Sequence, residues 1–558
     1  MKHCLSQLTL LAGVLLVTAC AEKPAPPEEP AAISAQQLSE HVRVLASDEF
    51  GGRAPGTPGE ERTVAYLIEQ FQTMGIEPGG PGGSWTQTVP MIHTLLDEQG
   101  SLMVHHGEDS YPLLQAEDIE VSTVRADPAL LVERAPLVFV GFGVSAPERD
   151  WDDFGDIDLT GKIALFLVND PDFAATAEEP VAGRFGNRRM TYYGRWAYKF
   201  EEAARRGALG ALVIHETRAA GYGWSVAASS PGENYALANV GETPVALQGW
   251  IHGDAAARLL ATAGHDLDQL RVVARHPDFS AFELEDTSFS ADFQVQVRQI
   301  DSENVLGLLP GSTHPGEILM VAAHWDSYGQ GVPDADGRTV RPGANDDALG
   351  TAGVLELARV LKAGPPLQRS VVFALWTAEE SGLLGSRAYA EDPVYPLATT
   401  VANFTLDILQ TAGLARDVIL VGEGQSELED DLARVAASQD RVVTPENLPE
   451  NGLFYRADHF SMARGGVPVL LIMAIAGGND LVDGGRAAGD QWVADYVGNC
   501  YHQTCDAWDP DWNLAGAIQD IELFQLLIED LGDSRRWPEW KPGSEFKAVR
   551  DASSTARR

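Results

Sequence analysis

Two runs of consecutive apolar residues constrain this chain more than any other feature. Residues 318–323 read Ile-Leu-Met-Val-Ala-Ala and residues 371–376 read Val-Val-Phe-Ala-Leu-Trp, with further strand-like stretches at 400–406 and 467–475. A run without polar alternation must be covered on both faces, as in the parallel strands of an α/β sheet. Helical spacing at 348–361 supplies a covering layer and completes a strand–helix–strand unit. The expected fold is α/β: an α/β/α sandwich around a mixed, mostly parallel sheet. Polar residues appear where the runs stop: His324-Trp-Asp326 after the first, Glu379-Glu380 after the second, and Asp407 after 400–406. Sites in open α/β sheets lie at the carboxyl edge of the strands, so separate strands deliver side chains to one place.

The rest of the chain divides by texture. Residues 1–19 read as a signal: Lys2 is the positive start, and 8–19 form an apolar stretch too short to span a bilayer. Val17-Thr18-Ala19-Cys20 resembles a bacterial lipobox, with Cys20 as the lipidated residue of an outer-membrane, periplasm-facing lipoprotein; a plain secretory signal is the alternative. A Pro- and Glu-rich tether follows at 20–34. Ser34 is placed to cap a helix to about residue 46, and Thr57-Pro-Gly-Glu60 reads as a capping box opening a helix that stops at Gly75. The segment 35–129 is expected to be the first part of the main domain. Strand texture at 137–141, 162–168 and 211–214, with a helix at 198–206, marks 130–290 as a β-rich insert. The main domain resumes over 291–545, and 546–558 read as a polar, solvated tail. His105 and His106 lie in a Gly/Glu/Asp turn and are expected to be exposed.

Charge and cysteines narrow the partners. The sequence carries 40 Lys+Arg against 81 Asp+Glu, a net charge of −41, which repels nucleic-acid backbones and anionic lipid headgroups. Membrane association is therefore expected only through the lipid at Cys20. Cys500 and Cys505 flank His502. In an oxidising compartment they favour a disulfide that holds this histidine; the competing reading is a pair of thiolate metal ligands.

A Gly-bounded loop, Gly343-Ala-Asn-Asp346-Asp347-Ala-Leu-Gly350, adds carboxylates just before the 348–361 helix. His324, Asp346, Glu380, Asp407 and His502 are oxygen and nitrogen donors that suit zinc. Five protein ligands exceed what one catalytic zinc uses, but they serve two ions if one carboxylate bridges. Together, His324-x-Asp326, Asn345-Asp346-Asp347, Glu379-Glu380, Asp407 and Tyr501-His502 resemble the zinc aminopeptidases of peptidase family M28. The segment 45–59, around Gly51-Gly52-Arg53, is similar to that family's N-terminal segment, and the 130–290 insert to its protease-associated (PA) domain.

The resemblance implies two zinc ions, with Asp346 shared, His324 and Asp407 completing one site, and Glu380 and His502 the other. It implies Glu379 as general base and Tyr501 as oxyanion donor, with packing alone the alternative for Tyr501. Asp326 would accept from the second nitrogen of His324, Asp506 would do the same for His502, and the Asp346–Asp347 peptide would be cis. The implied reaction is hydrolysis of the N-terminal peptide bond of peptides. Carboxypeptidases, glutaminyl cyclases and non-catalytic scaffolds are the alternatives among similar chains. Leu349, Ala457 and Ile408-Leu409 depart from the family's usual residues without touching a ligand position. Asp150-Trp-Asp152-Asp153 only hints at a calcium loop, and Asp334-Ala-Asp336-Gly337 reads as a turn. Asp458-His459 is open between contact with substrate and a structural pair.

Overall fold

Residues 318–323 lie within strand His314–His324, and its side chains divide strictly between two cores. Leu319, Val321 and Ala323 pack into one, Met320 and Ala322 into the other. The neighbouring strand Arg369–Trp376 repeats the division, with Val371, Phe373 and Leu375 on the first side and Val372, Ala374 and Trp376 on the second. This is the double coverage that the unbroken apolar runs require. The first core is closed by helices Ala35–Leu45, Pro58–Met74, Leu349–Ala363 and Ala515–Gly532, through residues such as Leu38, Leu67, Leu355 and Phe524. The second is closed by Tyr389, Phe454, Phe460 and their neighbours.

The computed structural model describes residues 31–238 and 243–557; the expected signal, the Cys20 anchor and most of the 20–34 tether lie outside the described residues. The main sheet runs Val469–Ile472, Thr400–Leu406, His314–His324, Arg369–Trp376, Phe282–Leu309. Its first four strands are parallel and the last antiparallel, so the sheet is mixed and mostly parallel, as expected. Among the described residues, no helix is long and apolar enough to cross a membrane.

Strand Phe282–Leu309 also belongs to a second sheet. Its first part pairs with Ala129–Phe139, and from Val295 onward it pairs with Thr86–Leu96. The second sheet continues through Ile163–Leu167, Gly210–His215 and Leu247–His252, all parallel, to an antiparallel edge at Ile119–Ser122. Its helices include Trp196–Arg205 and Gly253–Thr262. Strands Ser101–His106, Asp109–Leu113 and Ile119–Ser122 pair within this sheet, so it begins well before the position 130 suggested by texture. These strands are short and half polar, and only the continuous apolar runs after 136 stand out in sequence. His105 is buried in one of them, hydrogen-bonded to Ser110 and Ser290, and not exposed in a turn.

Two further expectations change. The tail is not solvated: Lys547–Ala552 is a helix, Phe546 packs 4.8 Å from Trp540, and buried Arg550 donates to the Thr400 and Val401 carbonyls. Ser34 and Thr57 cap their helices as read, accepting from the amides of Gln37 and Gly59. Glu60, however, reaches back to the amide of Gly56, one residue beyond the cap, and to Ser302.

Candidate metal centre

Each candidate side chain stands at the end of an element. His324 closes its strand, Asp407 follows Thr400–Leu406, and Glu379 and Glu380 follow Arg369–Trp376. Asp346 comes from the turn Ala344–Ala348, and His502 follows Tyr496–Cys500. These residues converge on two overlapping triplets: His324, Asp346 and Asp407, and Asp346, Glu380 and His502. Within each triplet one ligand atom from every residue lies within 4.8 Å of the others. The two oxygens of Asp346 face opposite partners. Oδ1 is 3.2 Å from His324 Nε2, and Oδ2 is 3.3 Å from His502 Nε2, which in turn is 3.4 Å from Glu380 Oε2. Glu379 belongs to neither triplet, and its Oε2 lies 3.9 Å from His324 Nε2.

The donor set fits a pair of divalent cations such as zinc: three carboxylates and two imidazoles, one carboxylate shared. Buried polar atoms point the same way, since Glu380 Oε1 and His502 Nδ1 have no hydrogen-bond partner among the described residues. Burial pushes Glu379 and Glu380 well above the ordinary glutamate range, and neighbouring carboxylates add to this. Asp407 is pushed up to about 8 for the same two reasons. A cluster that disfavours its own ionisation is one that cations would stabilise.

Supporting residues fix these positions. Asp326 is fully buried; its carboxylate accepts from the amides of Glu379 (3.0 Å) and Glu380 (3.4 Å). The hydrogen bond from His324 Nδ1, expected at the carboxylate, is accepted by the Asp326 main-chain carbonyl at 3.2 Å, with the carboxylate 3.5 Å away. One aspartate therefore orients both the histidine ring and the Glu379-Glu380 turn. Asp506 does not orient His502. It accepts from the amides of Asn345 (2.9 Å) and Asp346 (3.1 Å) and from the Tyr496 hydroxyl, so it holds the aspartate loop. Asp347 accepts from the amides of His324 and Gly350, and the Asp346–Asp347 peptide is cis. Cys500 and Cys505 form a disulfide around Tyr501-His502, which removes them as thiolate ligands. Asp334 closes a turn through the amides of Asp336 and Arg338. His459 lies outside both triplets, packed 5.0 Å from Phe454.

Two arginines carry roles that the sequence analysis did not assign. Arg53 is fully buried and donates to the carbonyls of Leu45, Trp325, Pro342 and Gly343, joining the N-terminal segment to both the His324 and Asp346 loops. Its neighbour Gly52 has φ 74°, and a Cβ there would meet the Gly329 carbonyl oxygen at 2.4 Å. Arg456 donates to the Tyr501 hydroxyl at 3.1 Å and lies 5.0 Å from the Tyr222 ring centroid. Tyr501 is itself buried, its ring 3.7 Å from that of His502. The cluster opens into a cavity of about 880 Å³, whose lining also includes Arg195, Tyr222 and Trp250 from the second sheet's lobe.

Residues 304–524, which carry all five candidate ligands with Glu379 and Tyr501, match the model of peptidase family M28. Aminopeptidase YwaD of Bacillus subtilis (strain 168) is 35% identical over 142 residues, covering 25% of this chain and 29% of that protein. Probable lipoprotein aminopeptidase LpqL of Mycobacterium tuberculosis (strain ATCC 25618 / H37Rv) is 43% identical over 74 residues, 13% of each chain. The chain thus aligns with less than a third of either relative's length. Among solved structures, the aminopeptidase from Aneurinibacillus sp. strain AM-1 superposes with a TM-score of 0.51 at 20% identity. That match covers 92% of this chain and 95% of the other, and the two share a fold.

Proposed function

We propose that this chain is a zinc-dependent aminopeptidase with two zinc ions per chain, hydrolysing the N-terminal peptide bond of peptides. The observation that carries the reading is Asp346: its two oxygens face two separate ligand sets, with Glu379 beside them and in neither. His324, Asp346 and Asp407 would hold one ion, and Asp346, Glu380 and His502 the other. Zinc bound there would supply Lewis-acid polarisation of the scissile carbonyl and lower the pKa of a water toward ~7. Glu379 would take the proton from the attacking water and return it to the leaving amine. The Tyr501 hydroxyl, held by Arg456, would donate to the developing oxyanion. Asp326 would keep the His324 ring and the Glu379 turn in register, the ring through its main-chain carbonyl and the turn through its carboxylate.

Export and lipid attachment at Cys20 belong to the same reading. They rest on the lipobox-like sequence 17–20, and the similar LpqL is named a probable lipoprotein. The second lobe would act as a PA-like module that forms part of the cavity wall.

The test is a panel of free and N-blocked aminoacyl substrates, with and without chelator, alongside elemental analysis. Expected are chelator-sensitive turnover of free N-termini only and two zinc per chain. Hydrolysis of N-blocked peptides would point to a carboxypeptidase, one zinc per chain to a cyclase, and inactivity of metal-replete protein to a scaffold. Glu379→Gln should keep both metals and lose at least ~10² in kcat; near-wild-type turnover would remove Glu379 as the base.

A further inference from the structure

In a protein with twice as many acids as bases, a buried cation normally has a carboxylate partner, because an unpaired buried charge is costly. Arg195 has none. It is 8% exposed and lines the cavity, and its guanidinium makes no hydrogen bond or ion pair with any described residue. The charged group acting on it most strongly is Arg456, another cation, and burial with that repulsion pushes Arg195 down to about 10. Nearby acids of the cavity wall are committed elsewhere. Glu233 pairs with His93, Glu201 binds the Tyr192 hydroxyl, and Glu120 holds the amide of Gly232. Arg456 spends one nitrogen on the Tyr501 hydroxyl, and both arginines line the cavity into which the ligand cluster opens.

We propose that Arg195, with Arg456 lining the same cavity, binds a carboxylate of the peptide substrate. Two sources share this chemistry: an acidic side chain next to the scissile bond, or the free α-carboxylate of a dipeptide. A planar guanidinium whose contact among the described residues is the Trp196 ring, 5.7 Å away, keeps its donors for a carboxylate that matches it in geometry and charge. The inference rests on the aminopeptidase reading and deepens it by naming a substrate class.

The experiment compares matched substrates on the full-length, zinc-loaded protein. Leu-Gly against Leu-Gly-amide tests the α-carboxylate, and glutamyl-anilide against glutaminyl-anilide tests the acidic side chain. At least one pair should favour the carboxylate member by ~10-fold or more in kcat/KM, about 1.4 kcal/mol. Arg195→Met should bring that ratio to within about twofold through KM, and Arg195→Lys should restore part of it. Wild-type protein with no preference in either pair overturns the proposal, as does an Arg195→Met variant that retains it. If Arg195→Met fails to fold, the wild-type ratios decide alone. Leucyl-anilide turnover separates the two levels: its absence sinks the aminopeptidase reading, whereas turnover without a carboxylate preference sinks only this one.

Discussion

Asp326→Asn tests the site's construction most directly, because the substitution preserves shape and removes one acceptor. In the native site both carboxylate oxygens are used. One accepts from the Glu379 amide at 3.0 Å and lies 3.5 Å from His324 Nδ1, while the other accepts from the Glu380 amide at 3.4 Å. An asparagine must turn its NH2 toward one of these donors. The cheaper orientation sacrifices the longer contact to Glu380, leaving a buried amide N–H against another N–H. Loss of one buried charge-assisted hydrogen bond costs ~1.5–3 kcal/mol. That cost falls on the Glu379-Glu380 turn, because His324 Nδ1 keeps its contact with the Asp326 main-chain carbonyl at 3.2 Å.

Two readouts follow. Zinc affinity should fall 10–100-fold, the usual effect of losing a group that orients a metal ligand. At saturating zinc, kcat should still fall at least ~10-fold, because Glu379 no longer sits on a fixed turn. The assay is competition for zinc against a chromophoric chelator, followed by anilide turnover as a function of free zinc. A variant with wild-type zinc affinity and wild-type saturated kcat would refute the idea that the Asp326 carboxylate orients the Glu379-Glu380 turn.

Other consequences are separable from the metal. Arg53→Met leaves the buried carbonyls of Leu45, Trp325, Pro342 and Gly343 without their donor and should cost ~3–5 kcal/mol in urea unfolding at fixed zinc; a loss under ~1 kcal/mol would contradict the role assigned to it. Glu120 is pushed up to about 8 by burial, so the fold binds its proton more tightly than the unfolded chain does. Its contribution is therefore complete below the ordinary glutamate range and is lost as pH rises toward 8. Glu120→Gln should raise stability at pH 8–9 by on the order of 2 kcal/mol and change little near pH 4, and equal effects at both pH values would count against this. Deleting 546–558 removes the Arg550 contacts to Thr400 and Val401, so mass spectrometry should show faster hydrogen exchange in the 400–406 strand; unchanged exchange would mean the tail does not brace it.

The elements legible in the sequence were those whose physics is local. An apolar run such as 371–376 tolerates no exposed face, so its sheet position follows from composition alone. A polar residue directly after such a run, as at His324, Glu379 or Asp407, must lie at the sheet's carboxyl edge. Residues that act across the chain were not legible. Arg53 contacts carbonyls nearly three hundred positions away, and nothing around Gly51-Gly52 states which carbonyls those are. The resemblance pairs Asp506 with His502, yet its carboxylate faces the amides of the 345–346 loop. Arg195 sits in an aromatic segment without periodic signal, and its lack of a carboxylate partner emerges only once both cavity walls are assembled. The hairpin at 101–113 was missed because half-buried alternation over a few residues barely differs from loop sequence.

How the two cavity walls are joined bears on what the site admits. Lobes linked by a flexible segment are expected to move against each other. Here the connection is one strand, Phe282–Leu309, whose ladder passes from Ala129–Phe139 in one sheet to Thr86–Leu96 in the other at Gln294 and Val295, without an intervening loop. A second tie is Glu233–Leu237, which pairs with Thr86–Leu96 from within the lobe segment. Changing the angle between the walls would break several backbone hydrogen bonds of these ladders. The distance from Arg195 to the ligand cluster is accordingly set by backbone pairing and not by closure of a lid. Under the proposed activity, a peptide is selected by whether it spans that fixed gap, so lengthening the strand at 294–295 should disturb the carboxylate preference before it disturbs zinc binding.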